Sequence, residues 1–423
     1  MIEFAIYTHE LIREDGTIKM CNLIVVRDGN KIKHFTNYHL YLKTGKIVSD
    51  SSDNITRCRC VVKFLNYAFN YGHITTLNEL NNDIIKEYIQ LYGSCELPYD
   101  DEETSRTKET VYKCVGYIMD FVSQVKRKQK NNSRIVIDDL YRMEKKRDKF
   151  GRIIEYRVYD FDITYRDKNY PIFRDIPNKV FTILFDIIFS NHPELLGLVI
   201  LGAFAGSRPA EACNCRRTDS PLGPGILFEQ QNGKITKVTI DYRMEFNLRS
   251  DAVCVGRIKK ARMQDVPPLF LGAFVDSYNY YMDYLSDKKY EADYGPFSLN
   301  KQGKAITYAS YYGKFQNIVK NELVPILLAD EDPEVVIYGQ ILTEHNLSPH
   351  AFRHWYTVQL VLSGVNDVGV LMHLRGDSNP ESSLWYLKNK SDLVKKYQKV
   401  NNETFNYLLW ASNEKYGKNA DRS

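Results

Sequence analysis

The stretch SPHAFRHWYTVQLVLSG, residues 348 to 364, decides how this chain is read. Ser348 followed by Pro349 is a helix-start signal, and Gly364 is a stop. Stepping 100° per residue puts Ala351, Trp355, Val358 and Leu362 on one side, and His350, Arg353, His354 and Thr357 on the other. Histidines four residues apart share a helix face, as a zinc-binding pair does. Arg353 points the same way, however, and a guanidinium repels a metal cation. A metalloprotease would also need glutamate where this chain has Ala351. His350 stands instead in the first turn, where free backbone N–H groups and the positive dipole end favour an anion. Arg353 can grip a phosphate through two parallel hydrogen bonds, with His350 beside it to move a proton. Alone, the segment would pass for an amphipathic surface helix with incidental histidines.

Three other stretches supply company. AGSRPAEACNC sets Arg208 after a buried apolar run, with Glu211 three residues on to orient the guanidinium. GRIKKARMQDVPP offers Lys259 or Lys260 on a turn between strands. GDSNPESSLWYL places Tyr386 after a second helix-start signal, Asn379-Pro380-Glu381. Each has a dull explanation by itself: a structural arginine, solvated lysines, one of 31 tyrosines. Together they are two arginines, a lysine, a histidine and a tyrosine, the makings of a phosphate site with a nucleophile.

The 423 residues suggest two or three domains of ordinary globular composition. Fifty-seven Lys+Arg against 53 Asp+Glu leave a net charge of only +4, so overall charge does not announce a nucleic-acid binder. The eight cysteines form no CxxC pair; Cys58/Cys60 and Cys213/Cys215 are C-x-C without zinc-finger spacing, and read as buried or free thiols. The longest apolar run, LLGLVILGAFAG, falls short of the roughly 20 residues of a membrane span. MIEFAIYTHE lacks a basic stretch followed by an apolar one, so no secretory signal is expected and a cytoplasmic location is.

Residues 1–47 alternate around turns and read as short strands. From 53 to 130 the pattern is helical. Cys58, Val62, Leu65 and Phe69 form one stripe ended by Gly72, and a second helix is expected to end at Gly93. A third opens at Thr104 or Ser105 and carries Val111, Val115, Ile118, Val122 and Val125. It runs into a basic cluster, Lys126, Arg127, Lys128 and Lys130, a candidate DNA-binding patch or simply a solvated face. A second basic run surrounds Lys145, Lys146, Arg147 and Arg152, and residues 150–172 read as a tyrosine-rich linker. Helices through VFTILFDIIF and LLGLVILGAFAG follow. Then come strands GILFEQ and KITKVTIDY around an Asn-Gly hairpin turn, a strand AVCVG, and helices to the end. The expected fold class is α+β, mainly α: residues 1–47 as a β-rich extension with an accessory DNA-binding role, 48–170 as a helical domain with linker, and 171–423 as a mostly helical domain with a small antiparallel sheet.

The order Arg208 with Glu211, a lysine on a β-turn, His350-x-x-Arg353 and a C-terminal Tyr386 resembles the tyrosine recombinase family, the phage-integrase type of site-specific DNA recombinase. The resemblance covers roughly 171–400, and 48–150 is similar to that family's core-binding domain in helix count and position. It implies a catalytic set of Arg208, Lys259, His350, Arg353, Asp377 and Tyr386, with Glu211, His354 and His373 in support. Lys259 is preferred to Lys260 because it lies eight residues before Pro267. The family usually carries histidine or tryptophan nine residues before the tyrosine; here that slot is Asp377, a carboxylate that needs pairing, with Arg375 or His373, to sit beside a phosphate. The interval of 51 residues from Arg208 to Lys259 exceeds the family's usual spacing and implies an extra strand or loop.

By that resemblance Tyr386 attacks a DNA phosphate to give a 3′-phosphotyrosyl link, Arg208 and Arg353 stabilise the transition state, Lys259 protonates the leaving 5′-oxygen and His350 handles the tyrosine proton. No metal or other cofactor and no ATP is implied. The partners implied are double-stranded DNA recombination sites, three further copies of the chain in a homotetramer, and room for accessory proteins, with no membrane; the setting is the integrase or transposase of a mobile element. The tail ETFNYLLWASNEKYG presents Phe405, Leu408, Leu409 and Trp410 for docking on a neighbour or for self-packing. The rivals are a type IB topoisomerase, a catalytically inactive DNA-binding protein suggested by Asp377, and a metal enzyme using His350 and His354.

Overall fold

The computed structural model describes residues 3–12, 18–42, 52–99, 106–147, 152–166, 176–251 and 253–388. The chain divides into two compact units, Met1–Pro171 and Ile172–Ser423.

In the first unit, β1 (Glu3–Ile12), β2 (Ile18–Asp28) and β3 (Lys31–Phe35) form an antiparallel sheet in that order. Alternation turns Phe4 and Ile24 inward, onto α1 (Ser52–Asn70). Asn66 of α1 fastens the sheet: its Oδ1 accepts the Phe4 N–H at 2.7 Å and its Nδ2 donates to the Phe4 carbonyl at 3.0 Å. With α2 (Asn82–Ser94) and α3 (Lys108–Gln129), sheet and helices share one core. The two stripes seen in sequence, Cys58 to Phe69 and Val111 to Val125, are buried in it. The expected start of α3 at Thr104 or Ser105 lies outside the described residues; the helix runs from Lys108, after Thr107.

Two expectations fail here for physical reasons. Gly93 does not end α2. The helix continues to Ser94, and Cys95 takes the left-handed conformation (φ 62°) that closes it. Gly93 serves close approach instead, because a Cβ there would stand 1.8 Å from the Thr164 carbonyl oxygen. Nor is the expected linker a plain connection where it is described, at 152–166: β5 (Ile153–Tyr159) pairs with β4 (Tyr141–Arg147), Tyr141 opposite Tyr159. Tyr141, Tyr159 and Phe161 pack against the core of this unit.

The second unit begins with α4 (Asn178–Asn191), α5 (Leu196–Phe204) and α6 (Pro209–Cys213). Every residue of α5 is buried, as its unbroken apolar run demands. β6 (Ile226–Gln231), β7 (Lys234–Asp241) and β8 (Met263–Asp265) form an antiparallel sheet in that order. Asn232 and Gly233 make the expected hairpin turn, both with positive φ (52° and 77°). Of the expected strand AVCVG, the described residues 253–256 are not a strand. Val255 is buried with Leu248 and Ala305, and its carbonyl accepts the Tyr308 N–H at 2.7 Å, so packing has replaced pairing. Helices follow: α7 (Pro268–Lys288), α8 (Tyr308–Ile318), a π-helical turn Val319–Leu323, α9 (Val324–Leu328), α10 (Pro333–Glu344), α11 (His350–Leu362), α12 (Val368–Arg375) and α13 (Pro380–Lys388). The fold is α+β and mainly α, as the sequence led one to expect. No single helix among the described residues is long and apolar enough to cross a membrane. The tail with Phe405, Leu408, Leu409 and Trp410 lies outside the described residues.

Candidate active site

Helix α11 is the wall on which the site is built. Trp355 stacks on Phe181 with ring centroids 3.9 Å apart. Trp355 Nε1 and Gln359 Nε2 both donate to Asn178 Oδ1, at 2.9 and 2.8 Å. These contacts fix the helix's rotation, and with it the direction of Arg353. The helix is not the two-sided element that stepping around it suggested: Phe352, Tyr356, Gln359, Leu360 and Val361 are buried as well. Ser348 does not cap it with its side chain; its carbonyl accepts the Ala351 N–H at 2.9 Å. Gly364, at φ 110°, follows the last turn as expected.

Arg353, 2% exposed, donates from Nη1 to the Gly206 carbonyl and from Nη2 to Asp377 Oδ1 at 2.7 Å. Arg208 arrives from the start of α6, on the far side of Gly206. Its Nη2 donates to the same Asp377 oxygen at 2.8 Å, and its Nη1 to Glu211 Oε1 at 2.9 Å. Gly206 must be glycine: its φ is 65°, and a Cβ would stand 2.4 Å from the Tyr356 ring. Arg375 completes the ring of cations, its Nε 2.9 Å from Asp377 Oδ2. The pairing that Asp377 needs is therefore supplied by Arg375, and by both expected arginines besides.

Glu211 is fully buried and orients Arg208, as the three-residue spacing suggested. It also holds Arg262, whose Nη1 and Nη2 donate to Oε1 and Oε2 at 3.1 and 2.7 Å. Burial alone would raise the Glu211 pKa, but Arg262, Arg208 and Arg353 outweigh it and hold the carboxyl below its usual range. Arg262 lies in the turn GRIKKAR with no local signal of this role; it passes so close to Gly376 that a Cβ there would stand 2.2 Å from its Nε. Four guanidiniums here face two carboxylates, a surplus suited to an anion.

Tyr386, on α13 and 3% exposed, is hydrogen-bonded through its Oη to His354 Nδ1. The Arg375 guanidinium lies 4.8 Å from the Tyr386 ring centroid. The histidine on the tyrosine is thus His354, expected only in support, whereas His350 was expected to handle this proton. His350 sits behind it, ring centroids 5.1 Å apart. Burial first, then Arg353, Arg208 and Arg375, pushes the His350 pKa down to about 4, so its imidazole is neutral at neutral pH. Burial and the same neighbouring arginines lower the Arg353 pKa as well, though a guanidinium stays charged.

Of the two lysines it is Lys260, not the preferred Lys259, that reaches this cluster: its Nζ donates to the Asp377 carbonyl at 3.3 Å. Both lysines are exposed on this open turn, and the contact to Asp377 is what distinguishes Lys260. His373 is not brought in. On α12 the positions four apart, Leu371 and Arg375, face inward, and His373 is exposed. Of Asp377 and His373, Asp377 is the one that enters the cluster. In the first unit, Lys126 Nζ donates to the Ser133 carbonyl at 3.2 Å and Lys128 Nζ to the Leu40 carbonyl at 3.1 Å, while Arg127 and Lys130 are exposed.

No family's sequence model matches the chain, and no curated protein matches it in sequence. Solved structures are similar to it. The XerH site-specific recombinase, in a post-cleavage complex with palindromic difH substrate, is 14% identical over 83% of this chain and 80% of its own, with a TM-score of 0.46. The Tn1549 transposon integrase, in complex with transposon right end DNA, is 14% identical over 85% of this chain and 99% of its own, with a TM-score of 0.48. The XerA recombinase is 13% identical over 86% and 98%, with a TM-score of 0.33.

Proposed function

We propose that this chain is a tyrosine-type site-specific DNA recombinase, the integrase or transposase of a mobile element. One observation carries the reading: a buried tyrosine hydroxyl bonded to an imidazole, packed against a ring of guanidiniums gathered from separated segments. A hydroxyl nucleophile, a proton acceptor and surplus positive charge are what transfer of a phosphodiester to an enzyme side chain requires.

In the proposed step Tyr386 Oη attacks the scissile phosphorus and the bond to the 5′-oxygen breaks. The phenol proton passes to His354, with neutral His350 behind it. Lys260 gives a proton to the departing 5′-oxygen, the part first assigned to Lys259. Arg208 and Arg353 stabilise the charge on the non-bridging oxygens, with Glu211, itself held by Arg262, keeping Arg208 in place. The 3′-phosphotyrosyl bond keeps the energy of the phosphodiester, and a 5′-hydroxyl of another strand reverses the step to complete exchange. The working assembly in this reading is four protomers on two duplexes.

Nicked suicide duplexes cut from DNA flanking the coding sequence test it. A covalent protein–DNA adduct that survives denaturant, and is lost in Tyr386→Phe, is expected; no adduct on any duplex overturns the proposal. Joining of two marked sites, rather than relaxation of a supercoiled plasmid, separates a recombinase from a topoisomerase. A catalytically inactive DNA-binding protein is the second reading, favoured by Asp377, whose carboxylate engages Nη2 of both arginines. Sequence-dependent retention of such a duplex without adduct supports it.

A further inference from the structure

Arg375 entered the sequence reading only as a neighbour for Asp377. Its place in the fold assigns it more. The side chain is 4% exposed, and a guanidinium does not escape burial by losing its proton. It lies against the face of Tyr386 and pairs with Asp377 Oδ2, yet neither its Nε nor its Nη1 has a hydrogen-bond acceptor among the described residues. Buried donors in folded proteins are almost always paired, so a buried, charged, unmatched N–H beside a nucleophile calls for a ligand oxygen. The Asp377 carboxylate shows how compact the convergence is: Oδ1 serves Arg208 and Arg353, and Oδ2 serves Arg375. Three guanidiniums meet on one small anion.

We infer that Arg375 is a third arginine of the phosphate site, donating from Nη1 to a non-bridging oxygen of the scissile phosphate, and that Asp377 is the clasp that gathers the three arginines. The inference rests on the recombinase reading above and deepens it. It also accounts for the unusual residue in the slot before Tyr386. Where the family brings an imidazole or indole, this chain places a carboxylate that touches the arginines, and the hydrogen-bond donor comes from two residues earlier. Arg375 is then a contact to the reacting group, and Asp377 a positioning residue.

A purely structural Arg375, propping the Tyr386 ring, is the rival, and charge deletion on the DNA separates the two. The rate of adduct formation is measured on a suicide duplex with an ordinary scissile phosphate, and on duplexes with either neutral methylphosphonate isomer at that position. Arg375→Ala is expected to slow the phosphodiester reaction ~100-fold or more, and one methylphosphonate isomer to bring it within about tenfold of the unaltered chain, because the missing cation is no longer needed. Arg375→Lys keeps a cation over the ring without the planar fork. It is expected to be slower by about tenfold and rescued by the same isomer, which keeps the test decisive if the alanine variant folds poorly. Equal rates for variant and unaltered chain on the phosphodiester overturn the inference, as does an equal deficit on all three duplexes for the lysine variant. An unaltered chain that forms no Tyr386-dependent adduct overturns the recombinase reading and this inference with it. An adduct unaffected at Arg375 overturns the inference alone.

Discussion

At the end of α3, Lys126, Arg127, Lys128 and Lys130 stand almost side by side in sequence, whereas Arg208, Arg262, Arg353 and Arg375 come from four separated segments. Lys126 and Lys128 of the first group donate to backbone carbonyls, and Lys128, exposed, also lies 4.4 Å from the Tyr41 ring centroid. The arginines of the second group are largely withdrawn from water and share two carboxylates, with a tyrosine against one of them. A run of charges asks nothing of the fold; a convergence of buried cations must be held by it. Only the second arrangement makes a candidate reaction site, although the first is easier to see in a sequence.

The largest effect is expected where the convergence is broken at its most buried member. Arg353→Lys cannot reach both the Gly206 carbonyl and a phosphate with one planar fork, and should slow adduct formation ~1,000-fold in single-turnover measurements. A loss below tenfold would show that this cluster is not where the chemistry happens. Next comes Glu211→Gln, which leaves Arg208 and Arg262 without their shared charge. It should lower the unfolding free energy by about 3–5 kcal/mol in urea titrations. A cost under 1 kcal/mol would mean that the guanidiniums hold their places without Glu211.

The helices were legible because apolar periodicity survives folding: the α1 and α3 stripes, the buried α5 and the Asn-Gly hairpin lie where the sequence put them. Most of the residues that converge in the candidate site were legible in type and order. What the sequence could not show was which of two adjacent or nearby groups points inward. Lys259 against Lys260 depends on the path of an open turn, and His350 against His354 on where α13 lies over α11. Those are tertiary facts without a local signal. Arg375 and Arg262 were hidden for the same reason, since a buried arginine and a solvated one read alike in a chain with 57 basic residues. Glycines carried more than they showed: Gly93 and Gly376 mark close approach by Thr164 and Arg262, information that reads in sequence only as a helix stop.

Burial, and after it the field of the arginines, acts on His350 as well, which gives a smaller effect with a defined sign. Its folded pKa of about 4 lies below the unfolded value of about 6.5, so the unfolded chain binds more protons between them. Stability is therefore full above pH 6.5 and is lost as the pH falls toward 4. Between pH 7 and pH 5 this group should cost about 2 kcal/mol, a window above that in which Glu211 takes up its proton. His350→Gln should flatten the dependence of the urea midpoint on pH over that interval; an unchanged slope would mean that burial and the arginines together do not hold this imidazole neutral.

The smallest effects belong to the end of α3, and they sharpen the contrast from the other side. Each phosphate contact contributes a slope near −0.9 to the dependence of log affinity on log salt. Lys128 Nζ already donates to the Leu40 carbonyl and stacks on Tyr41, so Lys128→Gln should leave that slope nearly unchanged and lower stability by about 0.3–1 kcal/mol. Arg127 is exposed, so Arg127→Gln should flatten the slope by about 0.9 and leave stability alone. Neither should alter the rate of adduct formation once DNA is saturating. If instead Lys128→Gln flattens the slope fully, the ammonium leaves its carbonyl for a phosphate, and the two clusters differ less than their resting contacts suggest.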